Sequence, residues 1–244
     1  MESRRFIKGD NKKMGSNYRN KLAYEVDLVF CIDATMSMEP ILDKVKENAL
    51  NFYHDFQNVM DSKGKKVSQL RIRIVAFRDY FYDKDKAMMV TNFFKLPDMA
   101  EDFEACIKSI IPDGGGDDPE DGLEALAYAM KSDWCTGAAK KRHVIVAWSD
   151  DGTHDLGFGK SVANYPKGMP RDFNELTEWW GSKRNPGLMD ENAKRLLIFA
   201  PEKPGWNVIR DNWNNVIHAI TDDTDIGLSK VEYNEILDAI CNSI

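Results

Sequence analysis

The sequence predicts an α/β fold in which a mostly parallel β-sheet has helices packed on both faces. The first observation is that short apolar runs alternate with segments of helical periodicity along most of the 244 residues. The second is that these runs are apolar at consecutive positions, which is typical of parallel strands buried on both faces. The third is the balance of 43% apolar and 30% charged residues, which is ordinary for a folded globular protein.

Six apolar runs are predicted strands because they are short and rich in β-branched and aromatic side chains. They cover residues 26–32, 70–77, 87–94, 144–148, 195–200 and 216–220. Apolar residues at helical spacing predict helices over about 41–60, 103–110, 123–130 and 231–240. Pro40 suits the first turn of the first of these helices. The alternation predicts a single domain over residues 23–244.

Residues 152–194 form an insertion between the fourth and fifth strands, and they have poor apolar periodicity. A segment of this length inside a compact domain is usually either functional or disordered. Trp179 and Trp180 argue against disorder, and a short helix over 173–180 with Asp172 as its N-cap is predicted. Because the segment is polar and rich in glycine, we expect at least one of the two tryptophans to be exposed or to line a groove.

Charge is distributed unevenly along the chain. Residues 1–22 carry seven basic and two acidic side chains, whereas the whole chain has a net charge of −7. The acidic body repels nucleic acid phosphates, so we expect no nucleic acid binding by the core. The basic tail is interpreted as a flexible, solvated extension, with contact to nucleic acid or a membrane surface as the alternative.

The sequence predicts a cytoplasmic protein without a membrane span. No apolar run has the length of a spanning helix, and the N-terminus lacks the apolar segment of a signal peptide. The four cysteines, at positions 31, 106, 135 and 241, form no CxxC pair. This spacing argues against a zinc ribbon and is typical of a reducing compartment.

Three polar clusters follow predicted strands or open predicted helices. They comprise Asp33, Thr35 and Ser37 after the first strand, Asp117, Asp118 and Glu120 in the glycine-rich loop 114–121, and Asp150 or Asp151 after the fourth strand. In open α/β sheets, ligands bind beyond the carboxyl ends of the strands. Carboxylates and hydroxyls from three loops predict a site for Mg²⁺ or Mn²⁺.

Each cluster alone has a simpler interpretation as a helix cap, a flexible acidic loop or a turn. Their shared position at one edge of the sheet favours a common site. His154 is either a surface residue or a functional group of that site, acting as a general base or lying in the outer shell of the metal. Asp79 ends the second predicted strand at the same edge and is either part of the site or a partner for Arg78 or for a backbone amide.

The pattern resembles the von Willebrand factor type A (vWA) domain, a Rossmann-like three-layer α/β/α sandwich, over residues 24–244. In that family an Asp-x-Ser/Thr-x-Ser loop, a loop with paired glycines and an Asp after the fourth strand form a metal-ion-dependent adhesion site (MIDAS). Asp33, Thr35 and Ser37 match the first motif. The threonine usual in the second motif is replaced here by acidic residues. The resemblance implies a six-stranded sheet with one antiparallel edge strand.

A subgroup of this family, bacterial or associated with atypical α-kinases, looks closer still. Its second-strand ending, its GGGD-x-PE loop and its Ser/Thr-Asp ending are similar to residues 77–79, 114–120 and 149–150. By that pattern Asp150, rather than Asp151, is the metal ligand.

The resemblance implies a non-enzymatic, metal-dependent protein–protein interaction module. Mg²⁺ or Mn²⁺ would be held by the three clusters, and an open coordination position would bind an acidic side chain of a partner protein. The resemblance further implies a scaffold or regulator in a bacterial stress or signalling assembly.

The alternative is a metal-dependent phosphohydrolase that uses Mg²⁺ at the same acidic site as a Lewis acid. A phosphoaspartate enzyme would carry Asp where Thr35 stands, and loop 114–121 lacks the Gly-Lys-Ser/Thr of a phosphate-binding loop. No Gly-x-Ser-x-Gly elbow is present either. The sequence therefore favours the interaction module, and a purely structural domain is the third interpretation.

Overall fold

The computed structural model describes residues 23–116, 119–221 and 230–244, so the predicted basic tail lies outside the described residues. One sheet comprises β1 (Tyr24–Asp33), β2 (Val67–Phe77), β3 (Met88–Val90), β4 (Phe94–Leu96), β5 (Lys141–Trp148), β6 (Lys194–Pro201) and β7 (Val216–Thr221). The strand order is β3-β2-β1-β5-β6-β7, and β4 also pairs with β2. Strands β1, β2, β5, β6 and β7 are parallel.

Eight α-helices accompany the sheet within the described residues. They are α1 (Glu39–Asn48), α2 (Phe52–Ser62), α3 (Tyr80–Asp83), α4 (Ala100–Ser109), α5 (Gly122–Met130), α6 (Phe173–Trp180), α7 (Trp206–Asn212) and α8 (Tyr233–Ser243). Helices α1, α2, α4 and α8 bury side chains on one face of the sheet, and α5, α6 and α7 do so on the other. The predicted three-layer α/β/α class is confirmed. None of the described helices has the length and apolar character needed to cross a membrane.

Strand β1 lies in the middle of the sheet and explains the continuous apolar runs of the sequence. Its side chains alternate between the layers: Leu28 and Phe30 point into one core, and Val29 and Cys31 into the other. All four are buried. A strand covered on both faces has no solvent side, so its sequence shows no polar alternation.

The predicted third strand, residues 87–94, is divided into β3 and β4, which both pair antiparallel to β2. Thr91 lies at the division, where its backbone N–H donates to the carbonyl of Ile74 at 3.0 Å and its hydroxyl accepts from the Ile74 N–H at 3.0 Å. The side chain thus replaces a backbone acceptor. The antiparallel edge is as predicted, but it is made of two short strands, which brings the sheet to seven.

The predicted helix over 41–60 is two helices, α1 and α2, separated by residues 49–51. At the break the side chain of Asn48 donates back to the carbonyl of Lys44 at 2.8 Å. Leu42 of α1 and Phe56 of α2 are both buried in the same core. The apolar spacing therefore continues across the break and conceals it.

The strand order brings together the loops that follow β1, β2 and β5. The chain leaves β1 toward β2 on one side, whereas β5, β6 and β7 extend the sheet on the other side. The carboxyl ends of β2, β1 and β5 are consequently adjacent, and the boundary between β1 and β5 is the switch point at which α/β sheets bind ligands. The described residues of all three polar clusters are carried by loops at or near this edge.

Candidate metal centre

Asp33 is the last residue of β1 and is fully buried. Its Oδ1 accepts hydrogen bonds from the Thr35 N–H at 3.0 Å and from the Thr35 hydroxyl at 2.6 Å. Its Oδ2 accepts from the hydroxyl of Ser149 at 2.9 Å. The hydroxyls of Thr35 and Ser37 are 3.3 Å apart. The first predicted cluster therefore comes together around one carboxylate.

The local chain direction explains this convergence. The Ala34 N–H donates to the Phe77 carbonyl at 2.9 Å and keeps the chain on the sheet for one more residue. A short 3₁₀ turn over Met36–Met38 then leads into α1, which begins with Glu39 and Pro40.

Glu120 reaches the same place from the glycine-rich loop. It is only 4% exposed, and its Oε2 has no hydrogen-bond partner among the described residues. Gly115, with φ of +85°, lies between the two clusters: a Cβ there would be 3.6 Å from the Thr35 side chain and 3.7 Å from Glu120 Oε1. These are ordinary contact distances, so it is the positive φ that favours glycine at this position. Asp117 and Asp118, the other predicted ligands of this loop, lie outside the described residues.

Asp150 and Asp151 follow β5 but have different surroundings. The charge of Asp150 acts on Asp33 and contributes to raising its pKa. Asp151 pairs with Lys203 at 2.7 Å, and its carbonyl accepts from the Trp206 indole N–H at 2.9 Å. Asp151 is therefore held against α7, while Asp150 lies on the side of Asp33.

The carboxylates of this edge are in an electrostatically unfavourable arrangement. Burial, followed by the charge of Asp150, raises the pKa of Asp33 to about 7, although hydrogen bonds from Thr35 and Ser149 oppose the rise. Burial and the charges of neighbouring acids, Asp33 first, raise the pKa of Glu120 to about 10. Desolvation and like charge both disfavour the ionised forms. A bound cation would favour the ionised forms and would therefore lower the pKa of both carboxyl groups.

Asp79 and His154 form a hydrogen-bonded pair behind the site. Asp79 is fully buried, caps the N-terminus of α3 by accepting from the backbone N–H groups of Phe81 and Tyr82, and contacts His154 Nε2 at 2.8 Å. The His154 ring stacks on Phe158 with centroids 3.8 Å apart. Its backbone N–H donates to the carbonyl of Glu120 at 2.9 Å. Of the two interpretations left open for His154, the surface residue is wrong, because the ring is buried.

Two further buried acids, Asp121 and Glu124, were not anticipated by the sequence analysis. Asp121 Oδ2 accepts from the Tyr80 N–H at 2.7 Å, and Glu124 Oε1 accepts from the Gly157 N–H and from the Tyr165 hydroxyl. Burial raises the pKa of Asp121 to about 7 and also raises the pKa of Glu124. The available signal was the single acid Glu124 inside the otherwise apolar helix α5. Asp121 thus joins the glycine-rich loop to α3, and Glu124 joins α5 to the insertion.

The insertion is tied to the protein by its tryptophans. The predicted helix over 173–180 is α6, and Asp172 caps it by accepting from the Glu175 N–H at 3.0 Å. Trp180 is fully buried, stacks on Trp213 and donates its indole N–H to the Asn214 carbonyl at 2.9 Å. Trp179 is half-buried beneath the Lys131 ammonium group. Trp180 therefore braces the insertion and does not form part of an exposed binding surface.

No protein-family model matches the chain. Among solved structures, a von Willebrand factor type A protein from Catenulispora acidiphila superposes with a TM-score of 0.51 and 10% identity, over 91% of this chain and 43% of that chain. The fold is that of a vWA domain. The pilus adhesin SpaC from Lactobacillus rhamnosus GG gives a TM-score of 0.50 and 11% identity, over 90% of this chain and 30% of that chain.

One curated protein also matches in sequence. An alpha-protein kinase, vwkA, from Dictyostelium discoideum is 24% identical over 170 residues, which cover 69% of this chain and 25% of the kinase. The match therefore spans a quarter of that relative's length, and this chain covers less than half of each of the two similar structures. At such low identities the superpositions establish only the fold of this chain, and the activities of those longer proteins do not extend to it.

The oxygen donors at the carboxyl edge of the sheet fit a hard divalent cation. The hydroxyl oxygens of Thr35 and Ser37 lie beside the Asp33 carboxylate, and the charge of Asp33 acts on Glu120. Mg²⁺ and Mn²⁺ prefer such oxygens. The unpartnered, buried Oε2 of Glu120 is the strongest indication, since a buried carboxylate oxygen without a donor is costly. A bound cation would supply the missing partner.

Proposed function

We propose that this vWA domain is a metal-ion-dependent protein–protein interaction module. Mg²⁺ or Mn²⁺ would be held by Asp33, Thr35, Ser37, Glu120 and Asp150, with Asp117 or Asp118 contributing from the same loop. The observation that carries the proposal is the buried Asp33 carboxylate, oriented by Thr35 and Ser149, facing a second buried carboxylate that lacks a partner. Two acids arranged in this way are stabilised by a shared cation.

The ion would act as a bridge to another protein. An open coordination position attracts a carboxylate from outside, so the partner offers an acidic side chain to the metal. Each protein carboxylate that binds the ion directly reduces its remaining positive charge. Glu120 in place of a threonine would therefore give the bound ion a lower affinity for an external acid than a set of neutral ligands would give it.

An enzymatic role at the same site, as a metal-dependent phosphohydrolase, is less well supported. Such an enzyme needs a nucleophile or a general base facing the metal. Asp33 is fully buried and bonded to Thr35 and Ser149, and His154 is bonded to Asp79 and covered by Phe158. We therefore propose a non-enzymatic module.

The cellular setting is part of the same proposal: a cytoplasmic scaffold or regulator in a bacterial stress or signalling assembly. The four cysteines are all free, which is consistent with a reducing compartment. The sequence match to part of a protein named as an alpha-protein kinase supports a position beside signalling enzymes.

The test is metal-dependent capture. The full chain is immobilised and exposed to a lysate of its own source in buffer containing Mg²⁺, with a parallel sample in excess chelator, and Ser37→Ala serves as the matched bait. We expect a partner that is retained with Mg²⁺, lost with chelator and weakened by Ser37→Ala, and whose capture is abolished when its contacting acid is replaced by Lys. Phosphatase activity lost on Asp33→Ala would contradict the proposal and favour the enzyme.

A further inference from the structure

The guanidinium group of Arg78 joins three segments of the chain at the carboxyl edge of the sheet. Arg78 directly follows β2, and its Nε donates to the carbonyl of Ala34 at 2.9 Å. Its Nη1 donates to the carbonyl of Lys86 at 2.7 Å, and its Nη2 donates to the carbonyl of Ile111 at 2.6 Å. One planar group thus binds the loop after β1, the turn before β3 and the segment that precedes the glycine-rich loop.

The backbone of Arg78 adds two contacts at the same edge. Its N–H donates to the carbonyl of Ala87 at 2.7 Å, and its carbonyl accepts from the N–H of Asp121 at 3.3 Å. The Ala34 carbonyl accepts a second hydrogen bond, from the N–H of Asp113 at 3.1 Å. The loop after β1 and both ends of the glycine-rich loop are therefore connected to one another through this arginine.

These contacts reach the immediate neighbours of proposed metal ligands on two different loops. Ala34 lies between Asp33 and Thr35 in the chain, and Asp121 follows Glu120. Among the described residues, no hydrogen bond of the arginine goes to a proposed ligand itself. Its effect on a bound ion would therefore come from where it places the two loops.

We propose that Arg78 is the positioning residue of the carboxyl-edge metal site and holds Asp33 and Glu120 at the separation at which they can share one ion. This inference rests on the metal site proposed above. Two buried carboxylates repel each other when no cation lies between them, so the two loops need a firm connection. A guanidinium group provides it, because its N–H donors lie in one fixed plane and can bind acceptors on separate segments at once.

A lysine at this position would keep the positive charge but lose this geometry, since its ammonium group is a compact charge on a flexible stem. Arg142 offers a matched control at the opposite, amino edge of the sheet. Its Nε donates to the carbonyl of Ile244 at 3.0 Å, and its Nη1 donates to the carbonyl of Lys141, the first residue of β5, at 2.9 Å. Arg142→Lys therefore removes the same kind of hydrogen bond without touching the metal site.

The first experiment measures the Mn²⁺ affinity and the metal-free Tm of the full chain in parallel. We expect Arg78→Lys to weaken Mn²⁺ binding by about 10- to 100-fold, as the loss of a group that orients metal ligands does. Arg142→Lys should bind Mn²⁺ with the affinity of the wild type, even where its Tm falls by as much. The two variants make the same chemical change, so the comparison separates positioning of the site from general stability.

The second experiment supplies the lost group from solution. Arg78 lines an open cavity of about 390 Å³, so a guanidinium ion can enter the space that Arg78→Ala leaves. Millimolar guanidinium chloride should restore Mn²⁺ affinity to Arg78→Ala, and the same concentration of NaCl should not. A recovery of this kind cannot come from general stability, because guanidinium otherwise weakens folded proteins.

The outcomes distinguish this inference from the proposed function. Equal Mn²⁺ affinity in Arg78→Lys and the wild type would overturn the role of Arg78 and leave the metal site in place. An equal loss of affinity in Arg78→Lys and Arg142→Lys, or no recovery of Arg78→Ala with guanidinium, would reduce the arginine to a stabilising residue and would also overturn it. A wild-type chain that binds no Mn²⁺ would overturn the metal site and this inference together.

Discussion

The hydroxyl of Ser149 donates a 2.9 Å hydrogen bond to Oδ2 of Asp33 and so joins the ends of β5 and β1. Ser149 is itself fixed, because its backbone N–H donates to the Phe199 carbonyl on β6 at 3.1 Å. With Thr35 bound to the other oxygen of Asp33, the carboxylate is fully oriented before any cation arrives. Preorganisation of this kind removes the entropic cost of ordering a ligand on binding.

The first prediction concerns the cation at the carboxyl edge. Mg²⁺ or Mn²⁺ at a hundredfold excess over its Kd should stabilise the wild-type fold by about 2.7 kcal/mol. A domain of this size gains about 2–4 °C in Tm for each kcal/mol. Asp33→Ala should fold but lose this response, which calorimetry with MnCl₂ measures directly. Equal Mn²⁺ affinity in the two proteins would show that Asp33 is not a ligand.

The second prediction separates Asp150 from Asp151. Asp150→Asn should weaken Mn²⁺ binding by about 10- to 100-fold, as expected for a carboxylate that supports the ion directly or through water. Asp151→Asn breaks the pair with Lys203 and should leave Mn²⁺ affinity within the error of isothermal titration. The two variants make the same chemical change at adjacent positions, so each is the control for the other. The reverse order of affinities would assign the ligand to Asp151.

The fold could be predicted because its signals are local and redundant. Strands β1, β5 and β6 are buried on both faces, and this alone produces the continuous apolar runs that mark them. The division of the edge into β3 and β4 could not be predicted, since it depends on the Thr91 hydroxyl replacing a backbone acceptor. The break between α1 and α2 was concealed because both helices bury apolar residues in the same core.

The candidate site could be predicted only in part. Asp33, Thr35 and Ser37 lie in one loop, so their spacing carries the information. Ser149 and Asp121 act through contacts between residues distant in sequence, which no local pattern indicates. Glu124 is marked as the single acid in an apolar helix, but that signal does not identify Gly157 and Tyr165 as its partners. Trp180 lies in a polar, glycine-rich segment, where at least one of the two tryptophans was expected to be exposed. It is buried because its ring stacks on Trp213 and its indole N–H donates to the Asn214 carbonyl, two contacts that the local sequence does not indicate.

The third prediction is a pH dependence of stability caused by Glu124. Burial raises the pKa of this carboxyl above 4.5, its ordinary value. A group whose pKa is raised in the folded state favours folding below its unfolded pKa, and the advantage is lost as the pH rises through the folded pKa. Glu124→Gln should therefore melt at a higher temperature than wild type at pH 8 and at the same temperature near pH 4.5. Parallel Tm–pH curves for the two proteins would contradict this.

The fourth prediction concerns the link between α6 and the rest of the insertion. Gly181 ends α6 with φ of +73°, and a Cβ there would lie 2.1 Å from the backbone nitrogen of Gly187. Gly181→Ala should therefore destabilise the fold by roughly 2–4 kcal/mol. The positive φ is strained for alanine, and the added Cβ would overlap the backbone of Gly187. Gly137, where a Cβ would meet nothing within 4 Å, gives the control, and Gly137→Ala should change stability by less than about 0.5 kcal/mol. Urea unfolding midpoints with an unchanged m-value measure both effects, and equal midpoints for the two variants would show that the insertion tolerates a different path at Gly181.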